Sequence, residues 1–131
     1  MHTSKVLHWG ARIVAALILL QTLFFKFSGA EESVYIFSTV GMEPWGRIGV
    51  GVMELIASVM LLITPIAWMG ALIAVGLMVG AMGMHLTLLG IEVQGDGGYL
   101  FILAVVVAVC GAIVLWQDQE KALAFVKKLI D

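Results

Sequence analysis

Four ionisable side chains stand in or beside the long apolar stretches of this sequence. Glu54 lies inside RIGVGVMELIASVMLLI, which begins at Arg47, while Lys26 and His85 lie near the ends of two other apolar stretches. A charged group at the centre of a membrane span costs about 2.5–3.5 kcal/mol on insertion scales, so it faces a partner or a cavity. A carboxyl, an imidazole and two cations could together exchange a proton with a bound molecule or stabilise an anion.

The composition shows which solvent surrounds these groups. Of the 131 residues, 62% are hydrophobic and only 12% are charged, and the mean hydropathy is +1.09. Such values predict an integral membrane protein. The net charge of -2 and the scattered lysines and arginines exclude a nucleic-acid partner. Cys110 is the single cysteine, so no disulfide can form within one chain.

Four stretches have the roughly 20 residues needed to cross a bilayer core of about 30 Å. They cover residues 7–27, 46–64, 66–89 and 99–117. Thr64 and Pro65 form the turn between the second and third stretches, and we predict Thr64 as the N-cap and Pro65 as the first helical residue of the third span. The chain is therefore predicted to be all-α, a single domain of residues 1–131 that forms an integral membrane four-helix bundle.

Two further helices are expected at the membrane surface. Glu31 and Glu32 favour the start of a short interfacial segment between the first two spans, ending near Gly41. After the fourth span, DQEKALAFVKKLID has apolar residues on one side and lysines on the other, which predicts a short amphipathic C-terminal helix. Basic residues flank the first span and follow the fourth, so both termini should be cytoplasmic. Four tryptophans near span ends fit aromatic belts: Trp9, Trp45, Trp68 and Trp116.

The helical period gives the first two spans one polar-bearing stripe each. The stripe of the first span holds Arg12, Ala16, Leu19, Leu23 and Lys26, and that of the second holds Arg47, Gly51, Glu54 and Ser58. Because alternate spans run in opposite directions, four side chains should converge in the outer half of the bundle: Lys26, Arg47, Glu54 and His85. One interpretation is a ligand or proton site; the other is a structural clamp between helices, with Arg47 as an interfacial anchor.

The third span has two candidate packing faces. Gly76, Gly80, Gly83 and Thr87 form a small-residue stripe suited to close helix contact, and Ala74, Met78, Ala81 and His85 lie nearly opposite. A homodimer is one way to bury both faces. The histidines are too dispersed to ligate one haem, and no haem-attachment motif, phosphate loop or nucleophile elbow is present, so we predict no metal and no covalent cofactor.

Three segments carry a family resemblance: FFKFSG at the end of the first span, MELIA around Glu54, and GAMGMH, which ends at His85. Together with the sequence between 19 and 116, they resemble the DoxX and DoxX-like family of small four-helix membrane proteins. The resemblance implies a DoxX-like domain in a bacterial-type cytoplasmic (inner) membrane, with Lys26, Glu54 and His85 at the family's recurrent polar positions. Some members resemble subunits of quinone-coupled oxidoreductases, others associate with redox-defence proteins, and distant relatives act as assembly factors.

Three functions follow as hypotheses. The first is a quinone-binding membrane subunit of an oxidoreductase, with Glu54 and His85 as catalytic proton carriers, Lys26 or Arg47 stabilising the reduced anion, and a redox protein as partner. The second is a non-catalytic scaffold or assembly factor for another protein. The third is a carrier of a small solute or proton. The sequence shows no pair of broken helices of the kind that marks a transport site, which argues against a carrier.

Overall fold

The computed structural model describes the backbone of residues 2–131 and the side chains from Lys5 onward. The predicted all-α class is confirmed. The α-helices are α1 (His2–Phe27), α2 (Glu31–Thr39), α3 (Trp45–Leu61), α4 (Ala67–Met84), α5 (Tyr99–Gln117) and α6 (Gln119–Ile130). A 3-10 turn at Thr64–Ile66 precedes α4, and a π-helical turn at His85–Leu89 follows it.

Three segments in the described chain are long and apolar enough to cross a membrane: Lys5–Phe27, Thr64–Leu89 and Tyr99–Gln117. The last coincides with the predicted fourth span. Helix α3 lies where the second span was predicted, but it has 17 residues and ends at Leu61. At a rise of about 1.5 Å per residue it is roughly 26 Å long, shorter than a typical bilayer core.

The turn between α3 and α4 differs from the prediction. Thr64 makes no side-chain cap, and Pro65 lies in the 3-10 turn rather than in the first turn of α4. The Thr64 hydroxyl oxygen lies instead 3.4 Å from the guanidinium of Arg12. The prediction of Thr64 as an N-cap was wrong, because Thr64–Ile66 form a 3-10 turn and α4 begins only at Ala67.

The four long helices pack in a ring in which α1 and α4 each contact both α3 and α5. The centre is built from small or branched apolar side chains that are almost fully buried: Ala15, Leu19, Ala57, Ala71, Ala74 and Val107. Small residues let helix backbones approach closely. At Gly70, a Cβ atom would lie 2.8 Å from the Ala57 carbonyl oxygen, and at Gly111 it would lie 3.2 Å from that of Ala71. Glycine is therefore needed at both contacts, Gly70 where α4 meets α3 and Gly111 where α5 meets α4.

The polar stripes predicted from the helical period are confirmed. On α1, Arg12 and Leu19 are buried, and on α3, Glu54 and Ser58 are buried. The small-residue stripe of α4 has a different environment: a Cβ built on Gly76, Gly80 or Gly83 meets nothing within 4 Å. The stripe therefore makes no close helix contact within the chain.

The two short helices cover opposite ends of the ring, called here the α2 end and the α6 end. Helix α2 contacts α1, α3 and the π-helical turn. Helix α6 folds back on α4, and the rings of Phe125 and Trp68 lie 5.4 Å apart. Trp68 is consequently only 7% exposed, so its assignment to an aromatic belt was wrong. On its free side, α6 exposes the apolar side chains Leu123, Leu129 and Ile130.

Candidate functional site

The centre of the candidate site is an ion pair between α1 and α3. Lys26 Nζ lies 2.9 Å from Glu54 Oε1, with Glu54 1% exposed and Lys26 17% exposed. The Thr22 hydroxyl oxygen lies 3.3 Å from the other carboxylate oxygen, Oε2. The two predicted stripes thus meet through their charged members.

Arg47 lies beside this pair and has a different set of contacts. Its Nη1 donates a hydrogen bond of 2.6 Å to the Lys26 carbonyl oxygen, and its Nε donates to the Glu43 carboxylate at 2.9 Å. Arg47 does not line the neighbouring cavity. Its contacts hold the end of α1 against α3, which positions Lys26.

His85 begins the π-helical turn, a type of distortion that often occurs at functional sites. Its Nδ1 lies 3.0 Å from the Gly90 carbonyl oxygen. Because a carbonyl only accepts, Nδ1 carries the hydrogen, and Nε2 of a neutral ring is then an acceptor. The ring also packs edge-on against Phe101, at 5.6 Å between centroids. Both contacts fix the imidazole orientation.

A cavity of about 440 Å³ connects these groups at the α2 end of the ring. Its polar wall includes Thr22, Lys26 and Glu54, and His85 lines it from the end of α4. Most other lining side chains are apolar, among them Leu19, Phe25, Leu77, Met78 and Leu103. Helix α2 covers the cavity with Ser33, Ile36 and Phe37. A cavity of this size and character suits a small organic molecule with a few polar atoms.

The sequence interpretation missed a carboxyl pair at the edge of this cavity. Glu32 lines the cavity, and the Asp96 carboxyl lies near it. Burial, followed by the charge of Asp96, raises the pKa of Glu32. Burial alone would raise the pKa of Asp96. Hydrogen bonds from the backbone N–H groups of Val93, Gly98 and Leu100, together with the nearby His85, outweigh burial and lower this pKa.

Asp96 also organises the loop that leads into α5. Its Oδ1 accepts the N–H groups of Val93 at 2.9 Å and Gly98 at 2.8 Å. Gly98 has φ +88°, and a Cβ there would lie 3.1 Å from the Ile91 side chain, so glycine is required. The loop that leads into α5 therefore also supplies the carboxylate whose charge acts on Glu32.

A second polar cluster was also missed, at the α6 end. Arg12 is fully buried; its Nε donates to the Leu61 carbonyl oxygen, and its guanidinium carbon lies 3.6 Å from the centre of the Trp9 ring. His8 Nε2 lies 2.9 Å from Asp118 Oδ1. The spacing of His8 and Arg12, one turn apart on α1, was the available signal. These contacts join α1, α3 and the α5–α6 junction, as expected of a structural clamp.

Comparison of the chain with protein-family models, curated proteins and solved structures finds no match. The resemblance to the DoxX family therefore stays a prediction. Among the described residues, no group of three or more histidine, cysteine, aspartate or glutamate side chains could hold a metal ion.

Proposed function

We propose that this chain is a membrane subunit of a quinone-linked oxidoreductase and that the cavity at the α2 end binds the quinone head group. Helix α3, extended by Leu62 and Ile63, would be the fourth span of the bundle. By the positive-inside rule, the basic residues near the α6 end support a cytoplasmic location for that end in a bacterial-type inner membrane, and the cavity would then lie in the outer half. The DoxX resemblance is consistent with this proposal.

The observation that carries the proposal is the arrangement of polar groups around an apolar cavity. Lys26 and Glu54 stand on the α1–α3 wall, and His85 stands at the end of α4. A quinone has an apolar ring with carbonyl oxygens on opposite edges, so it needs polar contacts from two walls and apolar contact between them. A cavity of about 150 Å³ already holds benzene. The 440 Å³ found here has room for a substituted ring and the start of a tail.

The chemistry assigned to these residues is proton exchange. Reduction of a quinone to a quinol consumes two electrons and two protons. The electrons would come from a reduced redox protein that docks on the chain. Glu54 and His85 Nε2 would each take up a proton from water and pass it to a quinone oxygen, and the Lys26 ammonium would stabilise the anion formed before protonation is complete.

Quinone binding to the purified protein in nanodiscs tests the proposal. We expect a tailless benzoquinone head group to quench tryptophan fluorescence saturably, and Glu54→Gln to weaken its affinity by about tenfold or more, because a carboxylate ion-paired with Lys26 is lost. Glu43→Gln is the matched control, since Glu43 lies outside the cavity and pairs with Arg47.

Two outcomes would contradict the proposal. Wild-type protein that binds neither benzoquinone nor naphthoquinone head groups would exclude a quinone site. Equal affinities in wild type and Glu54→Gln, with circular dichroism unchanged, would exclude Glu54 from binding. A Glu54→Gln variant that unfolds, in a protein whose wild type binds no quinone, would favour the scaffold hypothesis, in which the ion pair is a helix clamp.

A further inference from the structure

The glycines of α4 divide into one that is packed and three that are open. A Cβ on Gly70 would collide with α3 backbone atoms at 2.8 Å, which shows that α3 and α4 touch closely near the α6 end. Further along α4, Gly76, Gly80 and Gly83 have nothing within 4 Å of a built Cβ. Gly76 and Gly80 line the cavity, whereas Gly83 does not. The cavity therefore reaches the molecular surface beside two exposed glycines.

The helical period shows at which boundary between neighbouring helices, called here a seam, this opening lies. On α4, Leu77 and Gly80 lie on the same side as Gly70, which packs on α3, whereas Val75 lies on the side that contacts Gly111 of α5. From α3, Val50 lines the cavity at the corresponding height. The opening consequently lies between α3 and α4.

The surroundings of this opening are apolar. Helix α4 carries no charged residue between Ala67 and Met84, and Met53 and Ile56 on α3 are exposed and apolar. On the water side, Phe37 of α2 covers the cavity and is 5% exposed. A molecule reaching Glu54 through this seam would come from the hydrocarbon phase rather than from water.

We infer that the ligand is carried in the bilayer and has an apolar tail, and that this tail leaves the bundle between α3 and α4 over Gly76 and Gly80. This inference rests on the proposed function and specifies its substrate class, a quinone with an alkyl or prenyl chain. Along the opposite seam, between α1 and α5, every lining residue carries a side chain, including Ile18, Phe25 and Leu103. The glycine seam gives a chain more room.

The test compares two ligands with the same benzoquinone head group, one without a tail and one with a decyl tail, in nanodiscs of one lipid composition. In the wild type we expect the decyl ligand to bind about tenfold tighter or more. The ratio of the two affinities measures this tail advantage, and Gly80→Phe should remove most of it. Partition into lipid is the same for every variant, so a change in the advantage comes from the protein.

Gly83→Phe is the matched control, because Gly83 is equally open but lies outside the cavity lining. It should leave both affinities unchanged. Gly76→Leu is the second variant if Gly80→Phe folds poorly, as judged by circular dichroism, and it should have the same effect. If a folded glycine variant keeps the tail advantage of the wild type, the inference is overturned. It is also overturned if Phe25→Trp, a substitution between α1 and α5, removes the tail advantage instead. Failure of the wild type to bind the tailless head group would refute the proposed function itself.

Discussion

Replacing one charged member of the Lys26–Glu54 pair should lower the free energy of unfolding more than replacing both. Glu54 is 1% exposed, so Lys26→Met leaves a buried carboxylate without its cation, at a cost of about 3 kcal/mol. Glu54→Leu leaves an ammonium that is 17% exposed on a flexible stem, which can reach the membrane surface, and should cost about 1–2 kcal/mol. The double variant should lie within about 1 kcal/mol of wild type, because replacing both charges removes the desolvation penalty.

Equilibrium unfolding in mixed micelles of dodecyl maltoside and SDS would measure the four free energies, and the double-mutant cycle should give a coupling of about 3 kcal/mol or more. The same cycle on Glu43 and Arg47, also 2.9 Å apart but only four residues apart in the chain and both more exposed than Glu54, should give about 0.5 kcal/mol. Equal couplings for the two pairs would refute the reasoning that burial makes the Lys26–Glu54 pair strong.

Three further variants test other parts of the structure. Burial and Asp96 raise the pKa of Glu32, so the folded chain binds this proton more tightly than the unfolded chain. The resulting stability is complete below the ordinary pKa of 4.5 and is lost as pH rises through the raised pKa. Glu32→Gln should flatten this fall in melting temperature, and Glu31→Gln should not; parallel profiles would contradict the raised pKa of Glu32. Asp118→Asn should destabilise the α6-end clamp by about 2 kcal/mol in SDS unfolding, and no change would show that the clamp is dispensable. Gly70→Leu should cost about 3 kcal/mol by the same assay, because α3 backbone blocks its side chain, and an effect below about 0.5 kcal/mol would contradict that packing.

Much of the architecture could be predicted because apolar length and helical period act locally. The limits of α5 and the buried stripes through Leu19 and Glu54 follow from these two properties. The end of α3 was harder to place, since Leu62 and Ile63 are as apolar as the helix before them and only the turn at Thr64 separates the helices. A local pattern also could not show that Trp68 lies under Phe125, because α6 must first fold back onto α4.

The sequence by itself determined that apolar helices carry an acid, two cations and a histidine, and that Lys26 and Glu54 lie on the stripes of their helices that become buried. Only the tertiary structure decided which of these groups meet: Lys26 pairs with Glu54, Arg47 holds the end of α1, and His85 bonds Gly90. It also decided that the open glycines of α4 border a cavity. The physical reason is that burial follows a repeat of 3.6 residues along one helix, whereas pairing and cavities depend on how separate helices pack.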